Sequence, residues 1–285
     1  MAVTIEGRSK DLDGFSVLRI LPNTVQRMVG PFVFLDHMGP ADFEAGNGID
    51  VRPHPHIGLA TITYLLDGSM LHRDSLGNNL EILPGDVNWM TAGRGIVHSE
   101  RETIEVKSHP HRLNGIQAWV ALPEAMAEIA PGFSHVKRCQ LPHHMLDGVQ
   151  MRLIIGEAFG MTSPIKTYSP MFYLDVLAQD GRVFHRPDGD QECLLYVLNG
   201  ALDIAGTRYD AGSLVLLDDE RELSAVGNTR CLMLGGDRWE QKPHLYWNFV
   251  SFSQERIEQA KADWREGRFP TIPGDNAEYT PLPGE

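Results

Sequence analysis

The chain has 285 residues, including 28 Gly and 18 Pro, and carries a formal net charge of −13. This length is enough for two domains that each bury their own core, and the abundance of turn-forming residues favours β structure. The acidic balance argues against direct binding to nucleic acid or to an anionic membrane, because phosphate contacts need clustered Lys and Arg. A role on nucleic acid would therefore be indirect.

The N-terminus and the cysteines indicate a compartment. The first fifteen residues, MAVTIEGRSKDLDGF, lack an apolar signal core, and no segment approaches the roughly 20 apolar residues of a membrane span. Cys139, Cys193 and Cys231 are widely spaced and form no C-x-x-C pair, which argues against a disulfide framework or a zinc knuckle. We expect buried, reduced thiols in a soluble cytoplasmic protein.

Short strand candidates, separated by Gly, Pro, Asn and Asp, follow one another along the chain. The first half contains FSVLRIL, MVGPFVFLDH, TITYLLDGSML, LEILPGDVNWMTA and NGIQAWVAL. The second half contains RLIIGEAF, MFYLDVLA, ECLLYVLNGAL, DIAGTRYDAGSLVLL and CLMLGG. TYLLDG, ending at Gly68, is similar to LYVLNG, ending at Gly200, and LPGDVNW is similar to the segment around Gly212. The parallel predicts an all-β chain of two tandem barrels.

Helices are predicted at only two places. PEAMAEIA could form a short one, and SFSQERIEQAKADWREG is the strongest candidate in the chain. In the second segment, Ser251 and Gln254 have the spacing of a capping box, and Gly267 is expected to end the helix. Apolar residues recur there at helical spacing, so this face should pack on a barrel: Ile257, Ala260 and Trp264.

Two segments, RPHPHIG and GRGIVHSE, carry a candidate metal site. They place His54 with His56, and His98 with Glu100, at positions i and i+2. On a strand these positions point to the same face, so both pairs can project into a barrel. The chain has 12 His, so one such pair is weak evidence by itself. A second His-x-His lies in the polar segment VKSHPHR, which we interpret as a loop.

The ligand types restrict the metal. Imidazole and carboxylate groups suit Fe(II), Mn(II), Ni(II), Cu(II), Co(II) or Zn(II), and they disfavour Cu(I) and Fe–S clusters. Four protein ligands on a metal that accepts five or six leave positions for water, dioxygen or an anionic substrate. The alternative is a closed structural ion, but structural zinc sites are usually rich in Cys and tetrahedral.

The sequence around these two motifs resembles that of the pirin family of the cupin superfamily. The resemblance rests on FLDHMGP, HPHIGLATITYLLDGSMLHRDSLGN, LPGDVNWMTAGRGIVHSE and GRFPTIPGDNAEYTPLP, and it runs from near residue 10 to the C-terminus. It implies two tandem cupin barrels of the jelly-roll type with a short C-terminal helix. We expect a metal-binding barrel over residues 1–145, a barrel without a metal site over 146–250, and the helix and tail over 251–285.

The resemblance also implies the site residues and a function. In pirins, residues at the positions of His54, His56, His98 and Glu100 bind iron, so we expect one divalent metal, Fe(II) first. The implied activity is that of a quercetin 2,3-dioxygenase, in which dioxygen opens the ring of a flavonol. The flavonol hydroxyl would bind at an open position of the metal, and Glu100 would be both ligand and catalytic base.

A second function belongs to a different class. The metal could be a redox or iron sensor in a regulatory binding protein that acts through protein partners, since the oxidation state changes the charge of the site. Dioxygen consumption with a flavonol discriminates between the two functions. In either case we expect a monomer that contacts neither membrane nor nucleic acid directly.

The second half of the chain holds no equivalent ligands. His54 and His56 lie fourteen and twelve residues before Gly68, and His98 lies thirteen residues after Gly85. The same spacings from Gly200 and Gly212 lead to Arg186, Asp188 and Ala225. His185 is one residue out of register and would point to the opposite face. We therefore expect the second barrel to be metal-free.

Several residues near the motifs allow two interpretations. Asp36 and His37 could bond to the metal ligands or form a turn, and Arg94 could orient an anionic substrate or occupy a turn. His72 is expected to be satisfied by a partner or exposed, and His143-His144 to lie in a linker. In NGIQAWVAL, one alternating pair should line the barrel, either Gln117 with Trp119 or Ile116 with Ala118.

Overall fold

The computed structural model consists mainly of antiparallel β-strands, and it describes residues 2–12, 15–187 and 190–284. The strands up to residue 136 are β1 Val3–Ile5, β2 Arg8–Leu12, β3 Phe15–Leu21, β4 Phe32–Phe43, β5 Asp50–His56, β6 Leu59–Asp67, β7 Met70–Asp74, β8 Asn79–Ile82, β9 Val87–Thr91, β10 Ile96–Arg101, β11 His111–Ala121 and β12 Gly132–Val136. Those that follow are β13 His143–Leu146, β14 Val149–Ala158, β15 Met161–Thr162, β16 Met171–Ala178, β17 Val183–His185, β18 Glu192–Ile204, β19 Thr207–Asp210, β20 Leu214–Leu217, β21 Glu222–Gly236, β22 His244–Tyr246 and β23 Phe249–Ser251. The helices are α1 Ile104–Lys107 and α2 Gln254–Arg265, with 3₁₀ turns at Glu124–Met126 and Arg138–Gln140.

The chain forms two compact units, each assembled from three stretches of sequence. The N-terminal unit consists of Ser9–Leu18, Leu35–Arg138 and Gln241–Glu285. The C-terminal unit consists of Met1–Arg8, Arg19–Phe34 and Cys139–Glu240. The ranges predicted from the sequence were continuous, whereas in the structure each end of the chain belongs to the unit formed mainly by the other half.

The N-terminal unit contains a four-stranded sheet and most of a seven-stranded sheet. The order of the smaller sheet is β5-β10-β7-β8, and that of the larger is β12-β9-β6-β11-β4-β3-β2. Alternation along the strands turns one face of each sheet inward. The candidate ligands lie on β5 and β10, the first pair of the smaller sheet.

The C-terminal unit has a ten-stranded sheet whose inward-facing side chains are apolar. Its main path runs β1-β20-β18-β21-β16-β14-β13. Buried side chains form one continuous cluster there, including Phe172, Leu174, Leu195, Val215 and Met233. Closely packed apolar side chains of this kind are the main source of stability in a β domain.

The cysteines differ in their surroundings. Cys193 and Cys231 are buried in the C-terminal cluster, where burial raises the pKa of Cys193 to about 12 and that of Cys231 well above its usual value. Cys139 is exposed. The expectation of buried thiols is therefore correct for two of the three.

The C-terminal helix forms as predicted, but its cap differs. Ser253 is the N-cap, and its hydroxyl accepts a hydrogen bond from the backbone N–H of Arg256 at 3.3 Å. The prediction of Ser251 was wrong because Ser251 ends β23 and its hydroxyl accepts from the N–H of Ser253 instead. Ile257 and Ala260 are fully buried. In the described parts of the chain no helix has both the length and the apolar character to cross a membrane.

Candidate metal centre

Three imidazoles meet on the inner face of the four-stranded sheet. His54 on β5 lies directly opposite His98 on β10, and His56 lies opposite Ile96. One ring nitrogen from each of His54, His56 and His98 falls within 4.8 Å of the others. The ring centroids are 4.3 to 5.0 Å apart. The His-x-His spacing therefore places both imidazoles on one face, as predicted.

The separation between two of these nitrogens matches that of ligands on one metal ion. Nε2 of His56 lies 3.0 Å from Nε2 of His98. Two metal–nitrogen bonds of about 2.1 Å that meet at a right angle place their nitrogens about 3.0 Å apart, whereas a tetrahedral angle requires about 3.4 Å. The observed distance is in the range expected for two nitrogens that bind one metal ion. Nδ1 of His98 is buried without a hydrogen-bond partner among the described residues, so the protein does not satisfy this ring by itself.

Burial keeps the three imidazoles neutral. It lowers the pKa of His54 to about 4, against the opposing effect of the Arg52 carbonyl. It also lowers the pKa of His56 and of His98 well below the usual value, and the neighbouring imidazoles add to the effect. Nδ1 of His54 donates to the carbonyl oxygen of Arg52 at 2.9 Å, which leaves Nε2 with a free lone pair. A neutral imidazole in this tautomer is the form that binds a metal.

Glu100 lies on the same face of β10 as His98, but its environment differs. The group of ligand atoms within 4.8 Å contains the three imidazoles and not the Glu100 carboxylate. Burial raises the pKa of Glu100, and His72, Thr63 and Gln117 oppose this effect. The hydroxyl of Thr63 lies 3.3 Å from Oε1 of Glu100 and 2.9 Å from Oε1 of Gln117. Coordination by Glu100 therefore stays a prediction.

A second buried pair stands beside the imidazoles. His72 and Asp74 on β7 lie opposite Glu100 and His98, and Nε2 of His72 donates to Oδ2 of Asp74 at 3.1 Å. The ring of His72 stacks on Phe133, with centroids 4.5 Å apart. The expectation of a satisfied imidazole at His72 is confirmed.

Comparison with known proteins identifies the family. The family model described as Pirin matches residues 14–120, and the model described as Pirin C-terminal cupin domain matches residues 173–270. A "Pirin-like protein" of Caulobacter vibrioides is 44% identical over 286 residues, which cover 99% of this chain and 99% of that protein. The chain belongs to the pirin family.

Two further relatives support the fold and suggest an activity. A Pseudomonas aeruginosa protein named "Putative quercetin 2,3-dioxygenase" is 38% identical over 95% of this pirin and 87% of its own length. The crystal structure of a quercetin 2,3-dioxygenase from Acinetobacter baumannii superposes with a TM-score of 0.91 at 34% identity, covering 100% of this pirin and 95% of that chain. The prediction of two cupin barrels with a short C-terminal helix is confirmed.

Of the three corresponding positions in the second barrel, the two that the structure describes hold no metal-ligand side chain. Arg186 is buried, and its guanidinium donates to the carbonyl oxygens of Leu217 and Asp218. Ala225 is part of the apolar cluster, and His185 is exposed on β17. Asp188 lies outside the described residues.

The other residues considered in the sequence lie in several different parts of the structure. Asp36 and His37 are buried on β4 and do not form a turn, and Nε2 of His37 donates to Oδ1 of Asn114 at 2.7 Å. Arg94 is exposed in the turn before β10. In the second His-x-His, His111 begins β11 and lies 3.1 Å from Glu102, away from the centre. The pair His143-His144 lies on the exposed strand β13 and not in a linker.

Of the two alternating pairs on β11, Gln117 and Trp119 face the centre. Gln117 contacts Thr63, and the ring of Trp119 lies 5.1 Å from that of His56. The sequence reasoning did not identify Thr63, Asp74, Asn88 or Phe133 as neighbours of the site. Each side chain projects from the inward-facing side of its own strand. Only the pairing between strands brings it to the centre.

Proposed function

We propose that this protein is a metal-dependent dioxygenase that opens the ring of a flavonol with dioxygen. The observation that carries the proposal is the group of three buried, neutral imidazoles on the inner face of one barrel. The names of two relatives, one of them 34% identical with a TM-score of 0.91, support a flavonol as the substrate. Fe(II) is the metal proposed for the site.

His54, His56 and His98 would hold the metal, with Glu100 as the proposed fourth ligand. When bound, the metal would supply Lewis-acid and redox chemistry at positions that the protein leaves open. The protein contributes a dry interior. His56 and His98 are at most 1% exposed, so water competes little with an organic substrate there.

Glu100 is proposed to take the proton of the substrate hydroxyl. A carboxylate that binds the metal through one oxygen keeps its second oxygen within reach of the substrate hydroxyl. Thr63 and Gln117 fix the position of the carboxylate through the contacts described above. Since the Thr63 hydroxyl has a single proton, it can donate to Glu100 or to Gln117 but not to both at once.

The test measures dioxygen uptake and bound metal in the same preparations. Iron-loaded protein is expected to consume dioxygen in the presence of quercetin. Glu100→Gln is expected to lower turnover by about 10²-fold or more, the usual contribution of a general base. Full turnover with full metal content in Glu100→Gln would show that Glu100 is not the base.

The regulatory alternative predicts a different result. A metal sensor that acts through protein partners would bind the metal at the same imidazoles but consume no dioxygen. Absence of uptake across several flavonols, in protein with one equivalent of iron, would reject the dioxygenase proposal and favour the sensor.

A further inference from the structure

The wall opposite the imidazoles is formed by a row of polar side chains that crosses four strands. In the seven-stranded sheet, His135 on β12 pairs with Asn88 on β9, Asn88 pairs with Thr63 on β6, and Thr63 pairs with Gln117 on β11. Directly paired residues project from the same face, with Cβ atoms about 5 Å apart. Because Thr63 contacts Glu100, the row faces the interior.

A second row lies on the same face, two residues away from the first row on each strand, and it is mostly apolar. It consists of Phe133, Met90, Thr61 and Trp119. Its two aromatic ends contact the centre, since Phe133 stacks on His72 and Trp119 contacts His56. The interior therefore has an aromatic strip beside a polar strip, an arrangement that suits a flat ring with oxygen substituents.

The side chains of these rows are less buried at one end than at the other. Phe133 and His135 are half-buried, whereas Asn88, Gln117 and Trp119 are buried. Strand β12 is the edge strand of its sheet. Burial along the row therefore decreases towards the edge strand β12, and Asn88 is the buried polar residue next to that edge.

Asn88 is the residue in the row whose hydrogen bonds are incomplete. Its side chain is 3% exposed. Oδ1 accepts a hydrogen bond from Nδ1 of His135 at 2.8 Å, while Nδ2 is buried with no partner among the described residues. Proteins rarely leave a buried donor unsatisfied, because desolvation of the group costs free energy that nothing repays.

We infer that Nδ2 of Asn88 donates a hydrogen bond to an acceptor oxygen of the substrate, and that Asn88 is a specificity-determining residue of this site. The ligand class is a planar aromatic molecule that has such an oxygen and lies along the aromatic strip. This inference rests on the proposed function for its ligand, but it concerns binding and not the reaction.

His135 is a positioning residue in this arrangement. Its Nδ1–H donates to Oδ1 of Asn88, so Nδ2 is the amide atom that this contact leaves without a partner. Nε2 of His135 lies 3.6 Å from Oδ2 of Asp86, which in turn accepts from the backbone N–H of Arg138 through its other oxygen. The proton on Nδ1 of His135 therefore determines the orientation of the Asn88 amide.

The experiment titrates 3-hydroxyflavone into Fe(II)-loaded protein without dioxygen and follows the absorption of the flavonol. Asn88→Leu removes the donor at similar size and is expected to weaken binding by about five- to ten-fold, the value of one net hydrogen bond. Asn88→Asp should weaken it at least as much, because an acceptor then faces an acceptor. Asn79→Leu, at an exposed site on β8, is the matched control and should bind like wild type.

Metal content and Tm are measured on the same samples. Asn88→Leu should keep one equivalent of iron and its fold, so that the loss is one of ligand affinity. His135→Phe should produce a smaller loss, because water can reorient the freed amide. Equal binding by wild type and Asn88→Leu, or no binding by wild type, would overturn the inference. Binding that weakens in Asn88→Leu while no dioxygen is consumed would support the inference and overturn only the proposed reaction.

Discussion

The two barrels share an architecture and differ in what points inward. The interior of the C-terminal unit is filled by side chains such as Phe172, Leu195 and Met233. In the N-terminal unit, the inner face of the four-stranded sheet carries His54, His56 and other titratable groups. Burying polar groups costs stability unless each finds a partner. One barrel is therefore built for stability, and the other gives up some stability for a site.

The positions that correspond in sequence spacing between the barrels have different roles. Where the N-terminal barrel has its first His, the C-terminal barrel has Arg186, which bonds to backbone carbonyls. Where the N-terminal barrel has His98, the C-terminal barrel has Ala225, which packs in the core. The fold tolerates both solutions because inward-facing positions can change while the strand pairing stays the same.

The sharpest test of the stabilising barrel is Phe172→Ala. Phe172 is fully buried, so its truncation should lower the free energy of unfolding by about 3–5 kcal/mol, from lost burial and the cavity left behind. Urea denaturation measures the effect. Folded protein should still bind one equivalent of metal. Loss of metal from the folded variant would contradict the division of roles.

The reciprocal change is His56→Ala in the other barrel. Removal of one ligand should lower metal affinity by more than about 100-fold, which exceeds the effect of losing a residue that only orients a ligand. Elemental analysis of protein purified without added metal provides the measurement, with His185→Ala as the control on the other barrel. A full equivalent of metal in His56→Ala would reject the site.

A smaller effect is expected from Asp275→Asn on the outer face of the metal-bearing strands. The Asp275 carboxylate accepts hydrogen bonds from the Ser99 hydroxyl at 2.7 Å and from the Arg101 guanidinium at 2.9 Å. Loss of charge-assisted bonds should lower the free energy of unfolding at neutral pH by about 1.5–3 kcal/mol.

The same contact should depend on pH. Burial alone would raise the pKa of Asp275, but the bonds from Arg101 and Ser99 lower it below the ordinary value. A lowered pKa means that the stabilisation is complete above the unfolded pKa, near 4, and disappears as the pH falls through the folded value. The difference between wild type and Asp275→Asn in urea unfolding should therefore shrink as the pH falls below the unfolded pKa. A constant difference from pH 7 to pH 2 would contradict this origin.

The smallest effect concerns the helix of the N-terminal unit. Ser253→Ala should lower the free energy of unfolding by about 1 kcal/mol through loss of the N-cap. Ser251→Ala, the cap expected from spacing alone, should cost less. A reversed order in urea denaturation would show that the helix begins two residues earlier.

How well the sequence predicts a contact depends on how far apart the two residues lie along the chain. Local alternation along a strand predicts that His54 and His56 project from the same face. It predicts the same for His98 and Glu100. The partners of Glu100 do not, because Thr63 and Gln117 reach it only through the pairing of β6 with β11 and the position of that sheet. A shift of register between His98 and Glu100 against β5 is also invisible in the motif.

The stretches of sequence that make up each unit could not be predicted from local patterns. Composition and repeats indicated two barrels, but nothing local to Met1–Arg8 or Gln241–Glu285 indicates which unit they complete. The cap of α2 depended on where β23 ends, which a spacing rule for Ser251 and Gln254 cannot detect.

The division of each unit into separate stretches has a consequence for synthesis. The ligand strands emerge from the ribosome early, yet the unit that holds them also requires residues 241–285. Backbone bonds from Thr280 to Pro53 and from Val250 to Ile57 join the two stretches. Although domains often fold in order of synthesis, this unit can complete its packing only after residues 241–285 have been made. Tight capture of the metal should accordingly be a late, post-translational event.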